Sequence, residues 1–426
     1  MGDHTGFIIL AIIAICTEAF LLLLSLFDPG LRYKISSPPS QALDSDDFLC
    51  FLEAVTDAKV HRKTKTELLT NGEVFYEAML DAIRNAAKSI NLEAYIFQRG
   101  RVAERFINAL AERASAGVKV NVVLDALGSL TTINSYMKPL LDAGGKVAFY
   151  HPLRWNTWPR YNNRTHRELL VIDGKMGFIG GAGIADHWLY AKSGKKRWRD
   201  SVVRIEGDAA VSLQSTFVEN WLEAQGEILA GEEYFPQYGF GDHSAALIVN
   251  SSPSAGGSTR ARVLFQTLLA SAQNTIRITT PYFLPDESLR RELVRAVKRG
   301  VRVSIITPGR KSDHALTRSS SRRLYGELLE AGAEIHEYQP AMIHAKILIV
   351  DSLWSVVGST NFDNRSFGLN DEVNLVVSNR ELARALEADF QSDLCESDPV
   401  TLKQWERRPI FERAQEMLGW ILQRQQ

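Results

Sequence analysis

The chain has 426 residues, 45% hydrophobic and 23% charged, a composition suited to folded lobes and not to wholesale disorder. Lys and Arg total 49 against 50 Asp and Glu, a formal charge of −1 without the basic excess of a chain that grips nucleic acid along its length. Cys16, Cys50 and Cys395 are odd in number and far apart, which argues against a disulfide framework or a zinc site.

Residues 7–27 (FIILAIIAICTEAFLLLLSLF) are an apolar run of 21 residues. As a helix this spans roughly 30 Å, the thickness of a bilayer core. No basic segment precedes it, so a retained single-pass anchor is expected and not a cleaved signal. Glu18, near its middle, is costly in lipid and is expected to be protonated or partnered in a helix pair. Arg32, Lys34 and the basic residues from Lys59 to Lys65 place the remaining body in the cytoplasm by the positive-inside rule. Residues 28–58, with the Ser-, Pro- and Asp-rich stretch SSPPSQALDSDD, read as a linker.

Beyond the linker the chain repeats itself. The strand-like KSINLEAYIF (88–97) is matched by NTIRITTPYF (274–283), GVKVNVVL (117–124) by GVRVSIIT (300–307), and LLDAGG (140–145) by LLEAGA (328–333). Each copy ends in a histidine-bearing strand, THRELLVIDGKMGFIGG from Thr165 and IHAKILIVDSLWSVVGS from Ile343. His166 and His344 are 344 − 166 = 178 apart, and Asp173 and Asp351 are likewise 351 − 173 = 178 apart. Apolar β-branched runs alternating with helical stretches predict two similar α/β lobes, residues 59–240 and 241–396, each a mixed sheet flanked by helices. A pseudo-two-fold interface between them would bring both motif copies into one site. The copies differ before the histidine, where the first carries ten extra residues within 153–165 (LRWNTWPRYNNRT). Trp155, Trp158, Tyr161, Arg154, Arg160 and Arg164 in that insert suit either a lipid headgroup region or an ordinary surface loop.

The second copy is the more complete. His344 and Lys346 share one face of a strand, while Asp351 has the other parity. An ammonium that holds non-bridging oxygens beside an imidazole that attacks or moves a proton is a phosphate site. Ser359 and Asn361 follow with hydrogen-bonding groups for the same phosphate, and Glu372 is placed to fix the tautomer of an imidazole. His-x-Lys-x4-Asp twice in one chain is the signature of the phospholipase D superfamily, which this sequence resembles over about residues 67–394. The N-terminal anchor, TPYFLPD (280–286), WRD (198–200) and the terminal segment from Trp405 are most similar to bacterial cardiolipin synthases.

That resemblance implies a metal-independent phosphatidyltransferase of the bacterial inner membrane, without cofactor. Its substrates would be phospholipids, phosphatidylglycerol among them, joined through a phosphohistidine. It implies His166 as nucleophile, His344 as acid/base, Asp173, Asp351 and Glu372 as further catalytic groups, and Lys346, Ser359, Asn361 and Gly181 around the substrate. The first copy departs from the pattern: Glu168 stands where Lys belongs, and Gly180-Gly181-Ala182-Gly183 replaces Gly-Ser-x-Asn. A carboxylate there changes the local charge by two, so either Arg164, Lys195, Lys196 or Arg199 compensates, or Glu168 takes part in proton transfer to the acceptor, or it contacts an amine or polyol headgroup, or turnover is weak. Hydrolysis, with water in place of the acceptor lipid, is one rival function, and lipid binding with little turnover because of Glu168 is the other. Residues 397–426 mix aromatics with arginines and read as an amphipathic, membrane-contacting segment or as a helix docked on the second lobe.

Overall fold

A computed structural model of the chain describes residues 2–27, 33–132, 134–152, 162–191, 196–237, 244–254, 259–413 and 416. The first half contributes β1 (Val60–Thr70), β2 (Ser89–Ala94), β3 (Lys119–Asp125), β4 (Lys146–Tyr150), β5 (Leu169–Ile172), β6 (Met176–Gly180) and β7 (Ser201–Gly207). The second contributes β8 (Ser244–Ser251), β9 (Thr275–Thr279), β10 (Phe283–Leu284), β11 (Arg302–Pro308), β12 (Glu334–Tyr338), β13 (Ile347–Val350), β14 (Trp354–Gly358), β15 (Phe362–Asp363), β16 (Glu372–Ser378) and β17 (Ser397–Pro399). All but β10 and β15, which pair with each other, lie in one mixed sheet.

Outward from the central antiparallel pair β1–β8, the order runs β7, β6, β5, β2, β3, β4 on one side. On the other it runs β16, β14, β13, β9, β11, β12, with β17 added at the edge. The repeat in sequence is thus a repeat of strand order. Strands β2, β3 and β4 are parallel, as are β9, β11 and β12. Parallel neighbours need crossovers, which the helices Arg101–Ser115 and Glu287–Lys298 supply for β2–β3 and β9–β11.

Side chains alternate faces along the motif strands, and each face meets a different core. In β5, Leu170 and Ile172 join the first-half core with Phe75, Phe106 and Trp188. In β13, Leu348 and Val350 join the second-half core with Leu264, Leu289 and Trp354. The opposite parity, Leu169, Val171, Ile347 and Ile349, meets a core that draws on both halves, including Phe217, Trp221, Leu375 and Leu386. This shared core makes the two halves one body.

The stretch read as a linker is in part structural. Residues Asp46–Thr56 form a helix capped by Ser45, whose hydroxyl accepts from Phe48 N–H at 3.1 Å. It buries Phe48, Leu49 and Leu52 in the second-half core, and Trp354 Nε1 donates to the Leu43 carbonyl at 2.8 Å. Four buried apolar side chains, Leu43 before the helix and Phe48, Leu49 and Leu52 in it, outweigh the turn-rich composition around them.

Helix Gly2–Phe27 contains the expected span, but its side chains at 19 and from 21 onward lie outside the described residues. Among the described residues, no helix is long and apolar enough to cross a membrane. The aromatic insert at 153–161 also lies outside them, and Arg164 beside it is buried and not surface-facing. At the C-terminus, Trp405 docks on the second half, its Nε1 donating to the Arg322 carbonyl at 2.6 Å. Ile410 and Phe411 stay 84% and 71% exposed, and residues 414, 415 and 417–426 lie outside the described chain.

Candidate active site

The two histidines sit just before β5 and β13, and each is pinned by backbone to the other half. His166 N–H donates to the Asp371 carbonyl at 2.9 Å, and Asp371 N–H to that of Arg164 at 2.9 Å. In mirror fashion, His344 N–H donates to the Arg199 carbonyl at 2.7 Å, and Arg199 N–H to that of Met342 at 2.9 Å. These are short parallel bridges, Thr165 with Asp371 and Arg199 with Ile343.

The next residue after each bridge is a carboxylate that reaches the imidazole opposite. His166 Nδ1 lies 3.0 and 3.1 Å from the Glu372 oxygens, and His344 Nδ1 lies 3.1 Å from Asp200 Oδ2. A carboxylate on Nδ1 fixes the tautomer and leaves Nε2 for chemistry. Asp200 was not singled out as a site residue from the sequence, although WRD carried part of the family resemblance. Its spacing hides it: Asp200 follows His166 by 34 residues and Glu372 follows His344 by 28. The usable signal was positional, since one carboxylate directly precedes β7 and the other opens the corresponding β16.

The His344–Asp200 pair is buried. Trp188 and Trp198 pack on the His344 ring at 5.5 and 5.6 Å, and Trp188 Nε1 also donates to Asp200 at 3.1 Å. The Lys346 ammonium lies 2.8 and 3.0 Å from the two ring nitrogens and donates to the His344 carbonyl at 2.9 Å. Burial lowers the His344 pKa and the Lys346 charge lowers it further, against the pull of Asp200. Burial likewise brings Lys346 down from 10.5 to about 8, with Asp200 and Glu372 opposing. For Glu372, burial alone would raise the pKa, but the His166 charge and hydrogen bonds from His166 and Ser359 hold it below the ordinary value.

Several sequence expectations change. Ser359 spends its one proton on Glu372 and accepts from Val373 N–H at 3.0 Å, so it positions that carboxylate and has no donor left for a phosphate. Asn361 is buried near it, with Oδ1 lacking a hydrogen-bond partner. Gly181 is required by close approach: a Cβ there would stand 2.8 Å from Lys346 Cδ and 2.9 Å from the His344 carbonyl oxygen. Asp173 and Asp351 sit at the far ends of their strands, away from the imidazoles. Asp173 accepts from the N–H groups of Ala87, Lys88 and Ser89, and Asp351 from those of Gln273, Asn274 and Thr275, at 2.7–3.0 Å. Both take φ of +53°, in the left-handed turn that aims each carboxylate back at the neighbouring strand.

Glu168 does not enter the site as a free carboxylate. Its Oε1 accepts from Tyr95 N–H at 3.2 Å and Ile96 N–H at 3.0 Å, and burial pushes its pKa well up. The cations expected to offset it are engaged elsewhere: Arg199 with Asp389 and Asp393, Lys196 with Glu396, and Arg164 with the His151 and Asn163 carbonyls. Lys195 lies outside the described residues. Arg167 faces the opposite side of the strand, where it bonds the Thr216 carbonyl and Glu219.

A family profile described as "Cardiolipin synthase, PLD-like domain" matches residues 79–219 and 265–394. A cardiolipin synthase of Oceanobacillus iheyensis is 34% identical over 376 residues, which cover 88% of this chain and 78% of the relative. The major cardiolipin synthase of Bacillus subtilis is 32% identical over 382 residues, 89% of this chain and 79% of that one. Among solved structures, a phosphatidylserine synthase of Haemophilus influenzae superposes with a TM-score of 0.66 at 16% identity, covering 87% of this chain and 98% of that one. A polyphosphate kinase of Porphyromonas gingivalis superposes at 0.54 with 10% identity, covering 83% of this chain and 52% of that one. At these identities the two structures speak for the fold alone.

Proposed function

This chain belongs to the cardiolipin synthase family of phospholipase D-like proteins and is a phosphatidyltransferase of that superfamily, from which we propose that it joins two phospholipids, with phosphatidylglycerol as donor. The crossed pairs His166–Glu372 and His344–Asp200 carry this reading, because they orient one imidazole from each half, and Lys346 beside His344 feels the charge of Glu372 beside His166.

His166, with Nδ1 held by Glu372, attacks phosphorus through Nε2. The bond from phosphorus to the headgroup oxygen breaks as His344 gives that oxygen a proton, releasing glycerol and leaving a phosphohistidine. The hydroxyl of the second lipid then loses its proton to His344 and attacks phosphorus, and His166 departs. Lys346 and Asn361 hold the non-bridging oxygens. An anionic phosphate beside His344 offsets the burial that keeps its imidazole neutral, so substrate binding arms the acid. Asp173 and Asp351 act by fixing their strands. Residues 7–27, whose side chains Phe7, Leu10 and Ile15 are 66–73% exposed, serve as a single membrane anchor, with residues 59–240 and 241–396 as cytoplasmic lobes related by a pseudo-two-fold axis. Ile410, Phe411 and the segment beyond them touch the same membrane surface.

The test is purified protein given labelled phosphatidylglycerol, with His166→Ala and His344→Ala alongside. Cardiolipin and glycerol from the wild type, lost in both variants, are expected. Phosphatidic acid as the sole lipid product would replace transfer by hydrolysis.

A further inference from the structure

We infer that Glu168 is a positioning residue, a buried hydrogen-bond acceptor that holds the Tyr95–Ile96 turn against His166, and neither a phosphate ligand nor a proton-transfer group. This rests on the reading of His166 as a reacting group.

The backbone creates the need. The ladder between β2 and β5 ends at the Glu93–Leu169 pair and β2 itself at Ala94, so the N–H groups of Tyr95 and Ile96 lie past the end of the strand. Glu168 is the residue just before β5, and its Oε1 takes both of them. Without an acceptor, two part-buried donors would lose their bonds, a loss larger than the net value of forming them. The turn they belong to reaches the chemistry directly. The Tyr95 ring meets His166 edge-on at 5.3 Å and 73°, while the Tyr95 carbonyl is held by Ser129 Oγ at 2.9 Å.

The second repeat shows why the residue differs there. Aligning KSINLEAYIF with NTIRITTPYF sets Pro281 against Tyr95. Proline has no N–H, so one of the two donors does not exist, and Lys346 at the matching position is free to turn to His344. The loop after β6 changes in step. Where the second copy has Asn361 the first has Gly183, and a Cβ at 183 would stand 2.5 Å from the Ile96 carbonyl oxygen and 3.0 Å from Glu168 Oε1. Glu168, Gly183 and Tyr95 are thus one local arrangement, and the loss of the motif lysine is part of it. Burial pushes the pKa of this carboxyl well up, against the lowering pull of the Ile96 and Tyr95 N–H groups and of Lys346.

The experiment compares Glu168→Gln, Glu168→Ala and Glu168→Lys in the full-length protein on phosphatidylglycerol vesicles, reading kcat, KM, the pH–rate profile and the melting midpoint. Glutamine keeps the carbonyl acceptor, so its kcat is expected within about twofold of wild type, with an unchanged pH profile. Alanine is expected to lower kcat by on the order of tenfold to a hundredfold, through misplacement of His166, with KM held within about twofold. Lysine sets an ammonium against two donors and is expected to do at least as much harm. A glutamine variant as damaged as alanine, or one with a displaced pH profile, would overturn the inference, and so would a fully active alanine variant. Where alanine fails to fold, the glutamine result still decides. His166→Ala is run in parallel: product formed without His166 would remove the underlying reading, whatever Glu168 does.

Discussion

Asp200 and Glu372 do the same work with different neighbours. Ser359 and His166 hold Glu372, whereas the Trp188 indole and Ser201 N–H hold Asp200. Both Asp200 partners other than His344 are donors, so Asp200→Asn would turn an amide NH2 against one of them and disturb the His344 tautomer. The expected result is a fall in kcat on the order of 10²–10⁴-fold with little change in KM, measured as cardiolipin formed. Glu93 offers a pH test at the same scale. Its Oε1 accepts from Asn220 at 2.6 Å, Oε2 has no hydrogen-bond partner, and burial lifts its pKa from 4.5 to about 7. A carboxyl whose folded pKa is raised adds no penalty below about pH 4.5, where both states are protonated. As pH climbs to about 7 the unfolded chain ionises first, and stability falls by on the order of 3 kcal/mol. Glu93→Gln keeps an acceptor and cannot ionise, so its denaturation midpoint is expected to decline less than that of wild type across that window. An identical decline in both proteins would assign it to other groups.

Among the elements, the helix Asp46–Thr56 shows how a signal can be present and outvoted. Ser-, Pro- and Asp-rich composition marks a linker, yet Ser45 followed by Asp46, Asp47 and the apolar Phe48, Leu49 and Leu52 is also a helix start. What decided between them was a receptor surface 300 residues further on: Phe48 meets Trp354 edge-on at 5.6 Å. Phe48→Ala in the full chain is therefore expected to cost about 3–5 kcal/mol of stability, read by denaturant unfolding. A change below about 1 kcal/mol would restore the linker reading. The motif strands were easier to read. In β5 and β13 alternate residues go to different cores, because a strand buried on both faces leaves no other choice.

At the level of the whole molecule, sequence alone carried the duplication, the α/β class, the motif histidines and the family. Those rest on local chemistry repeated at fixed spacing, and strand order repeats outward from β1–β8 because each copy obeys the same local pattern. Which carboxylate serves which histidine was settled only by tertiary structure, since the pairs are crossed: His166 finds Glu372, 206 residues away, and His344 finds Asp200, 144 away. No spacing rule links positions that meet across an interface between halves. Glu168 followed the same logic. Read along the chain it puts a negative charge at a phosphate site; in the fold, the ends of β2 and β5 leave two N–H groups beside it, and burial pushes its pKa well up against those bonds and the Lys346 charge. Side-chain type is local, but the direction a side chain takes and the charge it keeps depend on unsatisfied partners and burial, which exist only once the strands have packed.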